Sequence, residues 1–125
     1  MAVLSKFVIP GIVFVVTVAF GLWLSRSGKP YNGLLFNAHK LIALAAVITA
    51  ALQTFNALKI VELQPLLIAL LVLVGLSVVA LFVTGALMSA NKPAHNMLLI
   101  IHKLALFLVL FVGAAAIYLL AGRTS

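Results

Sequence analysis

Four long apolar runs, separated by short polar stretches, organise this chain. The first, about 7–24, is uncharged, and the second, about 34–58, is interrupted by His39 and Lys40. The third, about 63–88, carries no charge at all, and the fourth, about 95–121, contains His102 and Lys103. About 20 apolar residues cross a hydrocarbon core as a helix, so each run predicts one transmembrane span. Pro65 falls in the first turn of the third, where a missing N–H costs nothing. Glu62, just before it, suits the positive end of that helix dipole. The connections at 25–33, 59–62 and 89–94 are short, which makes consecutive helices antiparallel neighbours. The expected fold is all-α: an integral membrane up-down-up-down four-helix bundle, one transmembrane domain over 1–125.

Composition agrees. The 125 residues are 66% hydrophobic and 7% charged, whereas a soluble domain carries about 25% charged residues. No polar shell can be built from so few, and lipid must be the solvent. The net charge of +7 comes from eight Lys/Arg against one acid, Glu62. In a soluble protein that balance would suggest nucleic acid. Here the basic residues sit between apolar stretches, where they meet phospholipid headgroups, so no nucleic-acid partner is expected. The chain has no cysteine, which removes disulfides, thiolate metal sites and covalent c-type haem attachment. The first span resembles a secretory signal peptide with Lys6 as its charged flank, but it belongs to an internal repeat.

That repeat is carried by scarce residues. From Gly21 the chain reads Gly, three residues, Ser25, then Lys29-Pro30, eight residues, and His39-Lys40-Leu41. From Gly85 it reads Gly, three residues, Ser89, then Lys92-Pro93, eight residues, and His102-Lys103-Leu104. Gly11 and Gly75 fall in the same register upstream. The halves, about 1–61 and 62–125, each hold two helices, an even number, so both enter the membrane in the same direction. This predicts two tandem parallel repeats related by an axis along the membrane normal. The second and fourth helices then lie diagonally, with His39 and His102 at equal depth, about six residues or roughly 9 Å inside their spans.

Ionisable groups inside spans are costly and mark functional sites. A polar pair hydrogen-bonding across the core would satisfy two histidines. The sharper expectation is that His39 and His102 are the axial metal ligands of one haem b per chain. Diagonal helix axes on the order of 11–14 Å apart, from pairs packed at 8–10 Å, suit an iron between two imidazoles. Small residues continue the stripe from His39 through Ala43, Ala46 and Ala50 to Gln53, and from His102 through Ala105, Val109 and Gly113 to Ala116. They leave width for a flat macrocycle, although such residues also let membrane helices pack closely. Lys40 and Lys103 are positioned either to pair with haem propionates, helped by Lys29, Lys92 or Arg26, or to snorkel to headgroups. His95 has no repeat counterpart, since Asn32 stands there, and reads as a surface residue or propionate contact.

In architecture and in the His39/His102 pair the chain resembles the haem-binding cores of membrane b-type cytochromes, such as cytochrome b561-like proteins and the small anchor subunits of respiratory dehydrogenases. The resemblance implies electron transport by a six-coordinate haem iron. It implies as partners the lipid bilayer and a quinone or redox protein, within a homo-oligomer or larger complex of a bacterial or archaeal cell membrane. An electron carrier or oxidoreductase subunit is expected rather than a stand-alone enzyme. The b561-like proteins hold two haems near opposite faces, and the far half of this expected bundle has no His. A minimal single-haem version is therefore expected. Two other functions compete: a pigment-binding or structural subunit with each His on a chlorophyll magnesium, and a small multidrug-type transporter. The transporter needs a carboxylate within a span, and Glu62 lies in a connection.

Overall fold

The computed structural model describes residues 5–27, 33–89 and 95–124. They form four helices, with no strand among the described residues: α1 Val8–Ser27, α2 Gly33–Leu58, α3 Pro65–Ser89 and α4 His95–Thr124. All four are long and apolar enough to cross a membrane. The chain is an all-α integral membrane protein, and helices of this kind close their backbone hydrogen bonds without water.

The ends follow local chemistry. The helix α1 runs three residues beyond the apolar run, because Ser25 and Arg26 continue the turn and the Ser27 hydroxyl donates to the Trp23 carbonyl at 2.9 Å. At the other end of its hairpin, α2 closes through tighter bonds, Lys59 N–H to Asn56 O (3.3 Å) and Ile60 N–H to Ala57 O (3.2 Å). The third helix begins at Pro65 rather than Leu63. Proline's fixed φ suits a first helical position, and the Gln64 carbonyl accepts the Ile68 N–H at 3.0 Å.

The chain divides into two compact units, with the boundary between Ile60 and Val61. In the first, α1 packs along α2. Its buried positions, Pro10, Thr17 and Leu24, recur every seven residues, the spacing of a single seam along a helix. Opposite them α2 buries Ala46 and Ala57. In the second unit α3 buries Leu67, Ser77, Thr84 and Met88, and α4 buries Ala105, Ala116, Leu120 and Ala121. Many large apolar side chains face outward: Leu34 is 82% exposed, Leu41 68% and Phe111 67%. Alanines and hydroxyl residues form much of the buried seam, with Leu67 and Leu120 the large side chains fully enclosed, as expected where lipid solvates the surface and close backbone approach holds the helices.

The buried hydroxyls are satisfied within their own helices. Thr17 donates to Val13 O (2.8 Å), Ser77 to Leu73 O (2.9 Å) and Thr84 to Ala80 O (2.7 Å). Returning to the carbonyl one turn back removes the cost of an orphan donor in hydrocarbon. Each such oxygen keeps a lone pair with which to accept.

Candidate functional site

The two repeat histidines occupy corresponding places in their own units. His39 stands six residues into the span Gly33–Leu58, and His102 six residues into Asn96–Gly122. Each half-buried ring reaches the preceding helix near its C-terminal end. In the first unit a Cβ built on Gly21 would lie 3.0 Å from His39 Cε1; in the second, a Cβ on Gly85 would lie 3.7 Å from His102 Cε1. Gly21 is thus the seat of His39, and Gly85 that of His102. A larger residue at 21 would have to displace the ring.

The same ring nitrogen is engaged in both units. His39 Nδ1 is 3.0 Å from the Thr17 carbonyl oxygen. A carbonyl only accepts, so Nδ1 carries the proton and donates. His102 Nδ1 is 2.8 Å from Thr84 Oγ1. The Thr84 hydroxyl also lies 2.7 Å from Ala80 O; with its one proton there the oxygen accepts from His102 Nδ1–H, and with that proton pointed at Nδ1 the roles reverse. In a neutral imidazole that donates through Nδ1, as His39 does to the Thr17 carbonyl, Nε2 bears the lone pair.

The remaining candidate residues sit as follows. Lys40 and Lys103 are exposed, and the Lys40 ammonium lies 4.6 Å from the centre of the Phe36 ring, one turn back toward the start of α2. Ala46 and Ala105 are buried, at 6% and 4% exposure, while Ala43 and Gly113 are half-buried. Gly113 has room beside it, since a Cβ there meets nothing within 4 Å. Glu62 is exposed in the connection between α2 and α3. Lys29, Lys92 and the side chain of His95 lie outside the described residues. Among the described residues no group of three or more His, Cys, Asp or Glu comes together as a metal-binding cluster.

Thr17 and Thr84 were not singled out by the sequence. They are not repeat equivalents: Thr17 lies one turn before its glycine and Thr84 immediately before its own. Matching the halves in register passes over both. A helical wheel drawn around Gly85 would have offered Thr84 as a neighbour of the histidine seat.

No protein-family model matches the chain, and no curated protein or solved structure is similar to it. The fold and the histidines define the chain as an all-α integral membrane protein in which each unit seats one imidazole, through Nδ1, against the helix before it.

Proposed function

We propose that the chain is a membrane b-type cytochrome, in which His39 and His102 are the axial ligands of one haem b and single electrons pass to or from a quinol or a partner redox protein. The observation that carries this reading is that both rings engage the preceding helix through the same nitrogen, Nδ1. Histidines that ligate a metal almost always donate their second ring N–H to a carbonyl, carboxylate or water, which fixes the ring and raises its basicity. His39 does so to Thr17 O, and His102 engages Thr84 Oγ1 through the same ring atom.

The donor set fits a haem better than a bare ion. Among the described residues no group of three or more His, Cys, Asp or Glu comes together, so the two seated imidazoles supply too few ligands for a bare ion. A macrocycle brings four nitrogens of its own and asks the protein for two. When bound, such a group would supply a one-electron iron couple. The chain's own residues would bind and orient it: His39 and His102 would hold the iron, while the small side chains of Ala43, Ala46, Ala105 and Gly113 would leave width beside it. Lys40 and Lys103 carry positive charge toward the start of each span, where propionates would sit.

A pigment-binding role, with each His on a chlorophyll magnesium, uses the same histidines and is the second reading. Substitution and spectroscopy separate the two. Changing either His39 or His102 to Ala should abolish the six-coordinate haem spectrum, whereas His95→Ala retains it. Loss of haem in the His95 variant together with retention in His102→Ala would overturn the ligand assignment. Chlorin bands in the red would favour the pigment.

A further inference from the structure

The two histidines are held by acceptors of different kinds. On α1 the acceptor is a main-chain carbonyl, that of Thr17, and the Thr17 hydroxyl is turned away to Val13 O at 2.8 Å. On α3 it is a side-chain hydroxyl, that of Thr84, which also lies 2.7 Å from Ala80 O and 3.2 Å from Leu81 O. Both threonines are buried, at 8% and 5% exposure, and lie within one turn of the glycine against which the ring packs. They look alike, but only one of them touches its histidine through a side chain.

We infer that Thr84 is a positioning residue for His102: it fixes the Nδ1–H tautomer of that ring and sets its basicity independently of His39. The physical basis is a short relay. The Ala80 carbonyl polarises the Thr84 O–H, which makes Oγ1 a better acceptor for Nδ1–H, since hydrogen bonds in a chain strengthen one another. A stronger bond at Nδ1 makes Nε2 more basic. Without the hydroxyl, no proton acceptor from the side chain of residue 84 opposes the exchange of His102 to its other tautomer. The main chain supplies the equivalent bond to His39 whatever side chain stands at 17. The consequence for the metal rests on the haem reading above; the tautomer does not.

Isosteric substitution makes the asymmetry testable, because Thr→Val removes the hydroxyl and keeps the shape. The first measurement is nitrogen NMR of metal-free, histidine-labelled full chain in bilayers. Wild type is expected to show His102 as the Nδ1–H form. Thr84→Val is expected to convert it to a mixture, and Thr84→Ser to restore it. Thr17→Val should leave His39 unchanged. An Nε2–H form of His102 in wild type overturns the inference even if Thr84→Val fails to fold, and so does an unaltered His102 signal in a folded Thr84→Val. The second measurement is the midpoint potential of the haem-loaded protein. Weakening the bond at Nδ1 makes the ligand a poorer donor and destabilises the ferric state, so Thr84→Val raises the potential and Thr17→Val does not. Equal shifts from both threonine variants would overturn the assignment. A wild-type protein that takes up no haem would overturn the cytochrome reading alone, and the NMR would still decide the role of Thr84.

Discussion

Gly21 and Gly85 each lie against an imidazole ring, but with different tolerance for a side chain. Alanine in place of glycine within a helix gains about 1 kcal/mol of propensity. At Gly85 the added methyl would meet His102 Cε1 at 3.7 Å, an ordinary contact, so Gly85→Ala is expected to be neutral or stabilising. At Gly21 it would meet His39 Cε1 at 3.0 Å, and overpacking of this kind costs about 1–3 kcal/mol. Gly21→Ala should therefore be the less stable variant and should tilt the His39 ring. Unfolding of the two variants in detergent, side by side, checks the order; equal stabilities would mean that the ring yields without cost. The lysines give a second prediction at this scale. Exchanging both Lys40 and Lys103 for Gln should lower the haem potential, since positive charge near the iron favours the ferrous state. An unchanged potential would mean that the cation–π contact of Lys40 with Phe36 and the surrounding headgroups are all that these charges serve.

Among the elements, α2 carries its own membrane ruler. The Lys40 ammonium lies 4.6 Å from the centre of Phe36, and that of Lys59 lies 4.8 Å from the centre of Phe55, each pair one turn apart along the helix. From Leu34 to Lys59 the chain covers about 37 Å at 1.5 Å per residue, more than the roughly 30 Å of a bilayer's hydrocarbon core, so the Lys40 ammonium reaches outward from within the span, past Phe36, while Lys59 stands at its other end. Spin labels at positions 34 and 59 are expected to meet a water-soluble nickel chelate, and a label at Ile48 to meet dissolved oxygen instead. A label at 59 shielded from the chelate would contradict this span. The elements themselves were legible in the sequence, because twenty apolar residues leave the backbone no other way to bond in lipid. Pro65 announced the start of α3 for the same kind of local reason, whereas the extension of α1 to Ser27 did not show, since polar residues can finish a helix outside the hydrocarbon. The histidines and their glycines were legible as a repeat. What held them was not: the acceptor for His39 is a main-chain carbonyl, which every residue possesses and no residue type announces. Thr84 differs in being a side chain, but it has no counterpart in the other half.

In each unit the histidine lies toward the end at which the unit's first helix finishes, so the proposed haem would sit at that end. Away from it the polar residues include Gln53, Thr54, Asn56, Gln64 and Tyr118, none a ready redox centre at neutral pH. Electron tunnelling falls steeply with distance, so the protein alone should not connect two aqueous phases. It should exchange electrons with a quinol or a partner at the haem face, and its apolar outer surface, with residues such as Leu41 and Phe111 exposed, is compatible with assembly of several copies. In sealed vesicles with reductant outside and an impermeant oxidant inside, quinone-independent transfer is expected to be slow; fast transfer would require a second cofactor. All of this depends on one claim, that the chain binds haem b between two histidines. The most direct measurement is the reduced-minus-oxidised absorption spectrum of the purified full-length protein, with haem quantified against chain. The account predicts a sharp Soret band, a narrow b-type α band on reduction and one haem per chain. A purified, folded protein with no such bands after haem is supplied would contradict it.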